Sequence, residues 1–178
     1  MVYVFLADGF EEIEALAPVD ILRRAGVETV TVGVTGEYVT GAHNISLKAD
    51  VLCDEVEIEK ADAVILPGGL PGTTNLEKSE FVQDAVKWAN ANSKLICAIC
   101  AAPSILGNMG LLKGKSATCY PGFETSFNGG TYVKQSVVKC DNIITGDGMG
   151  SAYKFGFEIT RELCGKEVCE KIKSQIQY

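Results

Sequence analysis

"LICAICAAPSILG" (residues 95–107) changes character in its middle. Leu95 to Ile99 form a short continuous apolar run, the pattern of a strand buried on both faces of a parallel sheet. Pro103 fits the first turn of a helix, where its missing N–H would have no partner anyway. Ala98, Ala101 and Ala102 are small enough for a tight strand–turn–helix elbow. Cys100 stands at that junction, and two readings of it are open. An elbow nucleophile would be held as a thiolate by the following helix's orphan N–H groups and positive dipole end, below the ordinary thiol pKa of about 8.5. A structural cysteine would simply be buried, as free cysteines often are.

The same buried-strand pattern recurs outward from this stretch. Residues 2–7 and 62–69 are apolar runs, the second ending in glycines, and residues 27–34 are β-branched. Between them lie helical stretches. "EEIEALAPVDILRRAG" has acids in its first turn, Arg23 and Arg24 in its last, and Gly26 as its stop. Residues 79–93 read as a second helix, and two more close the chain, "GSAYKFGFEITRELCG" and "KEVCEKIKSQIQ". Residues 38–56 alternate weakly and suit short strands or a hairpin. "SATC" and "SVVKCDNIITG" read as strands. Strands alternating with helices imply parallel crossover units with helices on both faces. The expectation is one α/β domain over residues 1–178, flavodoxin-like and doubly wound around a mostly parallel sheet.

Composition narrows the function. With 16 Lys+Arg against 23 Asp+Glu, the net charge of -7 argues against general nucleic-acid binding. Seven scattered cysteines, an odd number, argue against a disulfide-framed secreted domain. The N-terminal stretch lacks a basic signal-peptide region, and no apolar run nears the roughly 20 residues of a membrane span. A cytoplasmic protein without membrane contact is expected.

In open parallel sheets, ligands bind beyond the carboxyl ends of the strands. Three such ends lead to "DGFEEIE", "PGGLPG" and Cys100. Glu14 falls at the flank of the apolar helix face, with Glu11 and Glu12 on more solvent-facing sides. Turned inward beside a thiolate, Glu14 would be pushed toward its protonated form and could donate a hydrogen bond to sulfur. Read without a neighbour it is an exposed first-turn acid, and the sequence alone favours that simpler reading. The backbone N–H groups of "PGGLPG" could cradle an oxyanion, or the segment is only a glycine turn. Cys97 and Cys100 form a C-x-x-C, but in a strand residues three apart face opposite sides. That geometry opposes a disulfide, and no second C-x-x-C exists for zinc. "GLLKGKS" is one residue short of a phosphate loop, and "GDGMGS" carries Ser151 where a dinucleotide fingerprint needs glycine. His43, the only histidine, reads as solvated.

Taken together, "DGFEEIEALAPVDILRRAG", "VILPGG", "AICAAP" and "GKEV" resemble, in order and over nearly the whole chain, the ThiJ/PfpI superfamily. These domains are class I glutamine amidotransferase-like. The likeness is to the branch of the Parkinson's-associated protein deglycase and cofactor-independent glyoxalases. The resemblance implies a flavodoxin-like fold, a homodimer and no cofactor. It implies Cys100 as the reactive cysteine, Glu14 as the protonated carboxyl beside it, and Gly69 and Ala101 as N–H donors. Gly68, Tyr120 and Pro121 are placed near the site. The substrate implied is a methylglyoxal-type α-oxoaldehyde or an early glycation adduct, in a stress-protective role. The alternative is a redox sensor or chaperone that uses a Cys100 sulfinate. Many relatives carry histidine where this chain has Tyr120. The protease-like branch has histidine where this chain has Ala101, which argues against peptidase activity.

Overall fold

A computed structural model describes all 178 residues. In chain order the elements are β1 (Val2–Leu6), α1 (Glu12–Arg24), β2 (Thr29–Gly33), β3 (Tyr38–Thr40), β4 (Ser46–Lys48) and β5 (Val51–Leu52). There follow β6 (Ala63–Leu66), α2 (Gly72–Lys78), α3 (Glu80–Ala91), β7 (Leu95–Ile99), α4 (Pro103–Asn108) and β8 (Ser116–Ala117). The chain ends with β9 (Thr131–Tyr132), β10 (Val137–Cys140), β11 (Ile143–Gly146), α5 (Ala152–Cys164) and α6 (Lys166–Gln175).

The central sheet has seven strands in the order β10-β11-β7-β6-β1-β2-β5. Every neighbouring pair is parallel except the β10–β11 hairpin at one edge. The long parallel strands follow flavodoxin-like order: β2 lies outside β1, and β6, β7 and β11 extend the sheet on β1's other side. Order reverses between β1 and β6, so their connections leave on opposite faces and open a crevice between them.

The alternation of the strands sorts their side chains into two cores. Val2, Val4, Leu6, Ile65, Cys97 and Ile99 pack under α1 and α5. Tyr3, Phe5, Val64, Leu66, Ile96 and Ala98 pack under α3 and α4. Both faces are dry, which is why β1, β6 and β7 read as unbroken apolar runs. Where α1 crosses α5, a Cβ on Gly156 would lie 2.8 Å from Ile21 Cδ1 and 3.2 Å from Pro18 Cα. Glycine there lets the two helices approach closely and seats α1, with Glu14, against the sheet.

Three expectations are refined. α2 occupies "GTTNLEK", which carries no helical apolar period, and only Gly72, Thr73 and Leu76 in it are buried. "SATC" contributes only two strand residues, paired with β9 in a small parallel ladder. α4 is six residues long and begins at Pro103, so two turn residues separate it from Cys100. No helix is long and apolar enough to cross a membrane.

Candidate active site

Three loops at the carboxyl ends of β1, β6 and β7 meet at the crevice. Cys100 follows β7 directly and adopts φ +64°, the left-handed region, at a cost of roughly 1–2 kcal/mol for a non-glycine residue. Neighbours on both sides hold it there. Its N–H donates to Gly146 O at 3.0 Å, and its carbonyl accepts from Tyr120 N–H at 2.8 Å. This backbone turn takes Cys100 out of the strand's alternation. Its side chain packs toward the α1–α5 core, the same side as Cys97. The opposite-face expectation for that pair therefore does not hold. What sets them apart is that Cys97 is sealed within the strand while Cys100 is partly accessible, and both thiols are free.

Glu14 lies in the first turn of α1 and is fully buried. The exposed reading is thus overturned. Its Oε2 accepts from Gly68 N–H at 3.0 Å. Oε1 is buried without a well-formed hydrogen bond, and the Cys100 thiol is the side chain whose hydrogen bonding shifts the carboxyl. Gly68 is glycine because a Cβ would fall 2.6 Å from both Cys100 Cβ and Glu14 Oε2. The "PGGLPG" segment is bound to α1 from its other side as well, since Glu11 N–H donates to Gly68 O at 2.9 Å. Gly69, at φ +88°, and Ala101 turn their N–H groups to the Cys100 sulfur.

Burial pushes the Glu14 carboxyl up to about 7; the Glu11 charge adds to the rise, while hydrogen bonds from Cys100 and Gly68 oppose it. Burial, together with the charge and hydrogen bonding of Glu14, pushes the Cys100 thiol up to about 12, against the pull of the Gly69 and Ala101 N–H groups. The expected helix-generated thiolate is corrected: burial and the Glu14 carboxylate outweigh the Gly69 and Ala101 N–H groups, and α4 is only six residues long. The two groups titrate as a pair. Between about pH 7 and 12 they hold one proton and one negative charge between them.

A pocket of about 210 Å³ opens over the sulfur, lined by Gly69, Leu70, Cys100, Ala101, Tyr120 and Phe123. Tyr120 is 53% exposed and forms one wall. Pro121 lines the next depression rather than this pocket. Gly68, Gly69, Ala101 and Tyr120 thus gather around Cys100 and Glu14.

The helical-face argument missed two acids. Glu11 is the N-cap of α1, accepting from Glu14 N–H at 2.9 Å. Glu12 is only 3% exposed. His43 holds it, donating its N–H to Glu12 Oε1 at 2.8 Å and placing Nδ1 2.9 Å from Oε2. His43 is therefore exposed but not merely solvated. The signal was Gly41, where a Cβ would collide with Glu12.

A DJ-1/PfpI family profile matches residues 1–162. The chain belongs to the DJ-1/PfpI family. It is 39% identical over 172 residues to protein dj-1beta of Drosophila melanogaster, covering 95% of this chain and 92% of that one. It is 32% identical over 158 residues to a glutathione-independent glyoxalase of Caenorhabditis elegans, covering 88% and 84%. An oxidized DJ-1 of Toxoplasma gondii superposes with a TM-score of 0.95 at 37% identity, covering 99% and 97%.

The Glu14 carboxyl predicts a stability effect with a definite sign. Below its unfolded value of 4.5 it is neutral in both states; as pH rises through about 7 the folded state must bury its charge. Its stabilising contribution is therefore present in acid and lost toward alkaline pH, by about 3 kcal/mol at full ionisation. Glu14→Gln should gain on wild type by up to that amount between pH 4.5 and 8 in urea unfolding. Parallel stability curves would contradict the burial of an ionisable carboxyl.

Proposed function

We propose that the protein is a cofactor-free glyoxalase acting on methylglyoxal-type α-oxoaldehydes, with Cys100 as nucleophile and Glu14 as proton carrier. The observation that carries this reading is the fully buried Glu14 carboxyl set against the partly accessible elbow thiol of Cys100, with only Gly68 between them. Cys100 sulfur adds to the aldehyde carbon, the thiol proton passes to the aldehyde oxygen, and a hemithioacetal forms. Glu14 as carboxylate removes the proton from that carbon, giving an enediol, and returns it to the neighbouring carbon. The product is a thioester of a 2-hydroxy acid, so the aldehyde carbon has been oxidised and the ketone carbon reduced within one molecule. Water hydrolyses the thioester, releasing lactate and regenerating the thiol. Gly69 and Ala101 N–H groups would stabilise the oxyanions formed on addition and hydrolysis. On an early glycation adduct, Cys100 sulfur would displace the amine from the carbinol carbon, the thiol proton leaving with the amine, and the same hemithioacetal would form, a deglycase outcome.

A second reading rests on the same donors. Two equivalents of peroxide would convert Cys100 to a sulfinate, its oxygens held by the Glu14 acid and the two N–H groups. That site would sense oxidant without turnover. Lactate formation separates the two.

The homodimer is proposed on an apolar patch. Ile13 and Leu16 of α1 are 43% and 36% exposed, and Ile45, beside Glu12 at the helix start, is 55% exposed. A second copy would cover this face through its own identical patch.

Wild-type protein should form lactate from methylglyoxal without added thiol, and Cys100→Ala and Glu14→Gln should each lose at least a hundredfold in kcat, the size of a general acid–base contribution. Turnover by Glu14→Gln at the wild-type rate would remove the proton-carrier role. No lactate from any form, with a sulfinate after mild peroxide, would favour the sensor. In sedimentation, Ile13→Glu should shift a dimer to monomer; a wild-type monomer at micromolar concentration would exclude the patch as a dimer interface.

A further inference from the structure

The two acids that helical periodicity placed toward solvent gather with the only histidine at the start of α1. One side-chain atom each from Glu11, Glu12 and His43 lies within 4.8 Å of the other two. No other three histidine, cysteine or acidic side chains come together in this way. These are not loose surface charges. The Glu11 and Glu12 side chains are only 14% and 3% exposed, and His43, at 69%, forms the open side. Each carboxylate gives one oxygen to a backbone N–H and turns the other to the imidazole. Glu11 Oε2 accepts from Glu14 N–H at 2.9 Å, which leaves Oε1 3.9 Å from His43 Nδ1. Glu12 Oε1 accepts from His43 N–H at 2.8 Å, and Oε2 lies 2.9 Å from the same Nδ1. The segments that carry these side chains are bonded to each other as well, Gly9 N–H to Thr40 O at 2.7 Å and Ala42 N–H to Phe10 O at 2.8 Å.

Charge supplies a second, independent argument. No lysine or arginine lies within 4.0 Å of either carboxylate. One imidazole, carrying at most one positive charge, faces two carboxylates that are largely out of water. At least one negative charge is left unmatched. A divalent cation in place of the Nδ1 proton would match both, with the imidazole as a neutral ligand and the proton released to solvent. Tetrahedral zinc, with bonds of about 2.0–2.2 Å, sets its ligand atoms ~3.4 Å apart, between the 2.9 and 3.9 Å found here. We propose that Glu11 Oε1, Glu12 Oε2 and His43 Nδ1 form a zinc-type site, its fourth position open to solvent beside His43, that pins the β3–β4 hairpin to the start of α1. An imidazole among the ligands favours zinc, cobalt or nickel over magnesium and calcium, which take oxygen. The backbone N–H groups on the far carboxylate oxygens are the supporting contacts that orient such ligands. No residue of the Cys100 pocket takes part, so the inference is independent of the glyoxalase reading.

Cobalt chloride titrated into the intact protein tests this, because cobalt substitutes for zinc and its spectrum reports its ligands. One ion per chain should bind, with visible d–d absorption and without the near-ultraviolet charge-transfer band of a cobalt–thiolate bond, which sets aside the seven cysteines. His43→Ala, at an exposed position, should weaken binding by about a hundredfold or more, above the loss expected for a merely supporting group. Glu12→Gln, which keeps an acceptor for His43 N–H, should weaken it similarly. Zinc chloride should raise the urea unfolding midpoint of wild type and leave that of His43→Ala unmoved. The metal-free midpoint of each variant checks its fold. Magnesium and calcium chloride should not compete. No cobalt bound at millimolar concentration, a thiolate band on the bound ion, binding that survives both substitutions, or competition by calcium would overturn the proposal.

Discussion

The contact between a buried carboxyl and a partly buried thiol organises this end of the molecule. Two acids that share a dry site cannot both ionise near neutrality, so one proton stays between Glu14 and Cys100. The surrounding structure serves that arrangement. Gly68 is reduced to a backbone so the two side chains can meet, and its N–H fixes one carboxyl oxygen. Cys100 is held in a left-handed conformation by hydrogen bonds from two neighbouring segments. Glu11 closes the first turn of α1, and its charge adds to the burial that raises the Glu14 carboxyl.

The fold explains why these groups can be held so closely. β1, β6 and β7 are buried on both faces, so their ends are fixed by packing on either side of the sheet. The loops that leave β1 and β6 are bonded to each other, Glu11 N–H to Gly68 O, and the turn after β7 is bonded to Gly146 and Tyr120. A strained backbone at Cys100 is tolerated because the elements around it are rigid. The helix dipole, the device expected from the sequence, contributes little, since α4 is a brief turn of helix set back from the sulfur.

Much of this was legible beforehand, for identifiable reasons. The unbroken apolar runs at residues 2–7 and 94–99 could only be doubly covered strands, and Pro103 marked the elbow. Glu14 was harder, because helical periodicity put it at the edge of the buried face and only the family resemblance tipped it inward. Glu12 was misread for a related reason: its burial depends on a hairpin distant in sequence that delivers His43 over it. The direction of the Cys100 shift was missed because it depends on burial in the assembled fold and then on a carboxyl from another element, which no local pattern encodes.

The central claim is that Glu14 and Cys100 share one proton, and the rate of Cys100 alkylation by iodoacetamide against pH tests it most directly. Because burial and Glu14 together hold the thiol up to about 12, wild-type alkylation should reach its half-maximum far above the ordinary thiol value of about 8.5, and Glu14→Leu, which removes the charge and the hydrogen bond, should move that half-maximum to lower pH. A wild-type half-maximum already in the ordinary thiol range, and unmoved by Glu14→Leu, would contradict the shared proton.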